Sequence, residues 1–284
     1  MMDFISFARA NGVDIASLQQ GDSIRRCPTL DHPRSRNGAY WFDGMRGWCM
    51  NWESGDSVQW WNDSSARPWS EQEKAEWARK RKQADDARKK LQLDAAKRAA
   101  ALIKTANPSR HQYMVEKGFP EAIGLVSADG DLIIPMHDFK SNELLGAQRI
   151  RLVDSRWEKK MEYGMRAKGA VLRYGPKIAM ESILVEGYAT GRSVDLALRL
   201  LRLNAYVVVC FSAQNLVYVA QNGAGRRMVF ADNDASQTGE KAAVASGLPF
   251  CMSDQIGEDA NDVHSRAGVM AVAKMIMEVR RKGF

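Results

Sequence analysis

From Ser182 onward, apolar runs of four to six residues alternate with amphipathic helical stretches, and few folds accept that alternation. SILVEG (182–187) reads as a buried strand, GRSVDLALRLLR (191–202) as a helix and AYVVVCF (205–211) as a second strand. A helical SAQNLVYVAQN (212–222) leads into a third strand, RRMVFADND (226–234). GEKAAVASG (239–247) is a helix, PFCMSD (249–254) a short fourth strand and VMAVAKMIMEVRRK (269–282) a closing helix. Short strands that are apolar throughout and separated by helices predict a parallel sheet covered on both faces.

In such a sheet, ligands gather at the carboxyl ends of the strands. Acidic residues stand there in this sequence. Glu186 closes SILV, with Gly187 allowing close backbone approach. Asp232 and Asp234 close MVFA, spaced so that both carboxylates can reach one cation. GEDAND (257–262) follows the fourth strand and offers Glu258, Asp259 and Asp262. Residues 181–262 hold ten Asp and Glu against six Lys and Arg.

The charge balance inverts upstream. Between 108 and 178, DLIIPMHDF (131–139), LLGAQRIRLV (144–153) and AVLRYG (170–175) read as short strands. Residues 144–177 hold nine Lys and Arg against three Asp and Glu, among them Arg149, Arg151, Lys159, Lys160, Arg166, Lys168 and Arg173. Period-2 spacing predicts Arg149 and Arg151 on one face of their strand, where they suit phosphates. An acidic pocket beside a basic sheet matches metal-dependent chemistry on nucleic acid.

Before this lies a charged helix. Ser70 and Glu73 form a capping box, Pro68 precedes them, and Asn107-Pro108 ends the pattern after about Thr105. Its eleven Lys and Arg against six Asp and Glu suit a solvated spacer. Residues 1–66 hold a short apolar helix and strands AYWF, GWCMNW and SVQWW, with turns at DGMRG and ESGD. Seven of the eight tryptophans fall between Trp41 and Trp77. They read first as the core of a small sheet and second as a platform for stacking bases. Cys27, Cys49, Cys210 and Cys251 form no C-x-x-C pair, which favours the reducing cytoplasm over a disulfide framework. No apolar run is long enough to span a membrane.

Taken together, ILVEGYATGRSVDLAL, VVVCFSAQNL, RRMVFADNDASQTGEKAA and GEDANDVH resemble a Toprim domain. They are most similar to that of the DnaG-related primases carried by phages and plasmids. LIIPMHDFKSNELLGAQRI and KKMEYGMRAKGAVLRYG resemble the basic subdomain that precedes it there, and RCPTLDHPRSRNGAYWFDGMRGWCMNW resembles the family's zinc-binding region or a degenerate form of it. The resemblance implies an α/β chain, α+β overall. Its parts are a zinc-ribbon-like β module at 1–66, a linker helix at 67–107, a basic primase subdomain at 108–178 and a Rossmann-like Toprim domain at 179–284.

It further implies that Glu186 assists proton transfer or positions metal, and that Asp232, Asp234, Asp259 and Asp262 hold Mg2+ or Mn2+. Arg149, Arg151, Lys159, Lys160, Arg166 and Lys168 would hold a single-stranded DNA template and ribonucleoside triphosphates. The zinc candidates Cys27, His32 and Cys49 lack a fourth ligand, so two buried thiols are expected in place of a Zn2+ site. Glu258 stands where the family often has lysine and is expected to add negative charge beside the metal. The implied activity is DNA-templated RNA primer synthesis, with a separate replicative helicase as partner and no membrane. The alternatives are a Toprim nuclease and a non-catalytic single-strand-binding regulator.

Overall fold

The computed structural model describes residues 2–52, 57–176 and 178–283; the expected ESGD turn (53–56) and the basic Lys177 lie outside them. The chain forms two compact units, Met1–Arg81 and Lys82–Phe284.

The first unit opens with α1 (Phe4–Ala10), whose start is capped by Asp3 accepting from the Ser6 N–H at 2.7 Å. Strands β1 (Gly21–Cys27), β2 (Gly38–Phe42), β3 (Arg46–Asn51) and β4 (Gln59–Asn62) follow as an antiparallel sheet in chain order. Alternation along the strands sorts the aromatic residues onto two faces. Tyr40 and Cys49 turn inward against Phe4, Ala8, Val13 and Ile15, and Phe4 stacks on Phe42 at 5.0 Å. On the other face Trp41 lies opposite Trp48, and Trp48 opposite Trp60. Trp41 is covered by Trp77 at 5.3 Å, from the start of α2 (Glu71–Thr105). That helix begins with the reciprocal Ser70–Glu73 cap: the Ser70 N–H donates to Glu73 at 2.8 Å and the Glu73 N–H to the Ser70 hydroxyl at 3.3 Å.

Cys27 and Cys49 sit within this small core, and burial pushes both thiols up to about 11. A zinc site needs thiolates and four converging ligands. His32 is exposed, and no group of three His, Cys, Asp or Glu side chains among the described residues is arranged to hold a metal.

In the second unit α2 gives way to β5 (Asn107–Arg110), α3 (Gln112–Glu116), β6 (Ile123–Val126), β7 (Leu132–Asp138), β8 (Leu144–Val153), β9 (Arg156–Met161) and β10 (Ala170–Tyr174). Then come β11 (Glu181–Val185), α4 (Tyr188–Leu200), β12 (Ala205–Val209), α5 (Ala213–Asn222) and β13 (Arg226–Ala231). The chain continues through α6 (Thr238–Ser246), β14 (Phe250–Met252), α7 (Ala260–Ala267) and α8 (Val269–Arg281). No described helix is long and apolar enough to cross a membrane.

All ten strands described in this unit join one mixed sheet. β14, β13, β11 and β12 lie parallel in that order. β10 pairs antiparallel with β12 and carries the sheet on to β7, which the β8–β9 hairpin extends. Ile183, Val185, Val207, Val209, Met228 and Phe230 pack against α4, α7 and α8. Leu184, Val208, Val229 and Ala231 pack against the opposite layer, α5 and α6. The adjacent strands β11 and β13 therefore send their chains to opposite faces, through α4 and α6. A crevice opens between such strands at their carboxyl ends, and this switch point positions the site.

The tryptophan row yields a stability contrast. Trp41 is 4% exposed and Trp60 54%. Trp41→Ala is expected to destabilise the first unit by about 3–5 kcal/mol, and Trp60→Ala by about 0.5 kcal/mol or less. Denaturant unfolding followed by circular dichroism measures both, and equal losses would contradict the covering of Trp41 by Trp77.

Candidate active site

Glu186 and Asp232 are the first residues beyond β11 and β13, two strands that pair directly. Both carboxyls are held above their ordinary range. Burial raises Glu186 and the Asp234 charge adds to it, while the Ala213 N–H at the start of α5 and Lys159 act in the opposite direction. Asp232 is pushed up to about 8 by burial, then by Asp259, Glu186 and Asp234, with Lys159 opposing. Its Oδ1 is buried and has no hydrogen-bond partner. Like charges at short range, partly removed from water, favour protonation or a bound cation.

The other predicted acids have local duties as well. Asp234 accepts from the N–H groups of Ser236 (3.0 Å), Thr238 (3.1 Å) and Gly239 (2.9 Å) and from the Ser236 hydroxyl. These bonds hold its carboxyl below the usual carboxylate range. Gly239 is required at that turn, because a Cβ there would strike the Asp232 carbonyl. Asp259 caps α7, accepting from the N–H groups of Asn261 (2.6 Å) and Asp262 (3.0 Å), while its second oxygen accepts from the Thr190 hydroxyl at 2.7 Å. Asp262 turns back to accept from the Asp259 N–H at 3.0 Å, completing a capping box.

Glu258 departs from expectation. Its carboxylate pairs with Arg266 at 2.6 and 2.9 Å and accepts from the Ser253 hydroxyl, which together draw it down to about 2. It is not among the charges that act on Asp232, so the extra negative charge expected beside the site is neutralised by Arg266 instead.

The basic residues divide by strand register. Lys159 pairs with Ile150 and Lys160 with Arg149, so the two lysines emerge on opposite faces of the β8–β9 hairpin. The Lys159 ammonium lies 5.6 Å from the Tyr113 ring and lowers both Glu186 and Asp232. The other face holds Arg149, Arg151 and Lys160. Arg151 reaches Asp131 at 3.0 Å, Arg149 lies 3.8 Å from both Asp131 and Glu162, and Lys160 meets Glu158 at 2.9 Å. Arg166 pairs with Asp138, and Lys168 sits 4.5 Å from the Tyr218 ring. The structure thus brings Lys159 to the acids and commits four of the other five cations to carboxylates.

Two residues that the sequence did not single out complete the surroundings. Tyr113, 1% exposed, buries a hydroxyl with no partner, and burial pushes its phenol up to about 12, with Asp259 and Tyr188 adding to the shift. Asn215, buried in the first turn of α5, accepts from the Gly169 N–H at 2.7 Å and donates to the Ala170 and Cys210 carbonyls, each at 2.8 Å. One amide therefore ties the segment after Lys168 to the turn whose Ala213 N–H serves Glu186. Nothing in the sequence separates Asn215 from Gln214, Gln221 and Asn222 of the same helix; its role comes from the turns that surround it.

A magnesium-type ion asks for only one or two carboxylates when waters and substrate phosphates supply its other ligands. The orphaned Asp232 oxygen and the mutual repulsion of Glu186, Asp232 and Asp259 fit an ion held that way. They do not form a closed protein cage, consistent with the lack of any three converging ligands among the described residues.

No family model matches the chain, and no curated protein does. Among solved structures, it is similar to a chain in the complex of bacteriophage T7 lagging-strand DNA polymerase with primase domains of two gp4 subunits bound to an RNA/DNA hybrid and dTTP. The identity is 15%, the match covers 61% of this chain and 91% of that one, and the TM-score is 0.38.

The crowded carboxyl gives a pH signature. Folded Asp232 keeps its proton to about pH 8, whereas an unfolded aspartate releases it near 4. The metal-free protein consequently loses stability from this group as pH rises through that interval. Asp232→Asn, which carries no charge, is expected to raise Tm at pH 8, by roughly 2–4 °C per kcal/mol recovered. The gain should shrink toward pH 4. A gain that is the same at pH 4 and pH 8 would contradict the assignment.

Proposed function

We propose that this chain is a DNA primase, a DNA-templated RNA polymerase that starts short primers on single-stranded DNA. The observation that carries this reading is Lys159, which leaves a basic hairpin to face Glu186 and Asp232 at the switch point of the parallel sheet. The Toprim-like order of acids along the sequence supports it as well.

In the reaction, the 3′-oxygen of one nucleotide attacks the α-phosphorus of the next triphosphate, and pyrophosphate leaves. A Mg2+ or Mn2+ ion bound here would acidify the attacking hydroxyl and offset charge on the leaving phosphates. Asp232 presents the unpartnered oxygen best placed to hold such an ion, with Asp234 and Asp259 beside it. Glu186, raised by burial, is suited to take the proton of the attacking hydroxyl at its carboxylate. Lys159, whose charge reaches Glu186 and Asp232, would offer an ammonium to the incoming phosphates. Lys168 and the paired Arg149, Arg151, Lys160 and Arg166 would extend this positive field along the template. The side chains of Arg151, Lys160 and Arg166 are themselves partly exposed beside those carboxylates, so a phosphate can approach the cations from solvent.

Primer synthesis on a single-stranded template with labelled ribonucleotides tests the reading. Short products that require Mg2+ or Mn2+ are expected, with Asp232→Ala lowering the rate by about 100-fold or more while template binding stays within about twofold. Lys159→Glu should lower the rate and flatten the salt dependence of binding. Template degradation without nucleotides would replace this reading with a nuclease. Binding without any product would replace it with a regulator.

A further inference from the structure

Tyr163 is the most exposed aromatic residue among those described, at 79%. Such exposure is ordinary on a loose loop, but this turn is anchored at nearly every other position. It leaves β9 with the Glu162 N–H donating to the Ala147 carbonyl at 2.8 Å, and closes with the Met165 N–H donating to the Glu162 carbonyl at 3.2 Å. Arg98 of α2 donates to the Glu162 carboxylate at 2.8 Å and to the Tyr163 carbonyl at 2.6 Å. Gly164 has φ of +78°, and a Cβ there would strike Leu91. Met165 fills the space that a side chain on Gly146 would need. Glu162, Gly164, Met165 and Arg98 thus all hold the turn, and the one group they hold out is the Tyr163 ring.

Exposed cations stand on either side of it in the chain. Lys159 and Lys160 precede the turn, and Arg166 and Lys168 follow it. Tyr163 lies four positions beyond Lys159, a Cα separation of at most about 14 Å. An exposed ring on an anchored backbone, with exposed cations a few positions away in the chain, suits a nucleobase whose neighbouring phosphates meet those cations. Stacking of that kind accepts every base, because each has a π face.

We infer that Tyr163 stacks against a base of the single-stranded DNA template and sets the strand's path toward Lys159 and the carboxylates. This inference rests on the reading of the chain as a template-binding enzyme. The ring acts by position and takes no part in the chemistry, so its loss is read in binding of bases rather than of backbone.

The test compares fluorescence anisotropy of two labelled single strands of equal length, oligo-dT and a fully abasic strand, on the full chain. Tyr163→Ala is expected to weaken oligo-dT binding on the order of tenfold and abasic binding less than twofold. Tyr163→Phe should restore the wild-type affinity. The salt slope should not change, since no cation is removed. Thermal unfolding of Tyr163→Ala at the wild-type temperature verifies that the turn keeps its frame. Oligo-dT binding by Tyr163→Ala within twofold of wild type overturns the inference and leaves template binding intact. An equal loss on both strands overturns it too, since the turn rather than the ring would then matter. Failure of the wild type to bind either strand at low salt overturns the template-binding reading itself, and the inference with it.

Discussion

Carboxylates repel one another, and burial sharpens the repulsion because less water screens it. At the ends of β11 and β13 this chain places Glu186 and Asp232 side by side, with Asp259 and Asp234 close enough to raise Asp232 further. A fold tolerates such crowding only where the strands are fixed by something stronger. Here the parallel strands are clamped between two apolar layers, Ile183, Val185, Met228 and Phe230 on one side and Leu184, Val229 and Ala231 on the other. The repulsion therefore stays in the site as affinity for positive charge rather than being relieved by movement.

The surroundings regulate that charge residue by residue. Asp234 accepts from N–H groups at the start of α6, which help to hold its carboxyl below the usual range, and Asp259 accepts from N–H groups at the start of α7. Asp232, with a buried oxygen left unpaired, receives no such help. Two of the acids are thus met by backbone N–H groups, and the third is left short of positive charge. Lys159 supplies part of that charge from the basic hairpin, and the Asn215 amide fixes the segment beside Lys168 to the turn that serves Glu186. Acidic and basic halves of the second unit meet through these two side chains.

Much of this arrangement is legible in the sequence. β8 matches LLGAQRIRLV end to end, and its centre shows why: the buried Ile150 stands between the partly exposed Arg149 and Arg151. The alternation of strands and helices after Ser182 is equally plain, since each strand is apolar on both faces. β9 is not legible: RWEKKM carries charge at four of six positions and becomes a strand only because β8 offers it an edge. β5 is hidden for another reason. Asn107-Pro108 ends α2 and also begins an edge strand, the one place in a sheet where proline is easily accepted. Within the site, Glu186 and Asp232 stand where strand ends predict. The capping duties of Asp259 and Asp262 are harder to separate from metal binding, because a helix start and a cation select the same residue type. Counting charge likewise finds a basic segment but not its register. Lys159 and Lys160 are neighbours in sequence and lie on opposite faces, and Asp131, the partner of Arg149 and Arg151, stands too far along the chain to be foreseen.

The central claim is that the strand-end carboxylates form a site for a divalent cation, with Asp232 as its principal ligand. A titration of the protein with Mn2+ at neutral pH, following the electron paramagnetic resonance signal of the free ion, addresses it without reference to any reaction. The account predicts that the wild type removes Mn2+ from solution saturably, and that Asp232→Asn and Glu186→Gln each weaken this uptake while Glu258→Gln leaves it unchanged. No saturable uptake by the wild type, or uptake indifferent to Asp232, would contradict it.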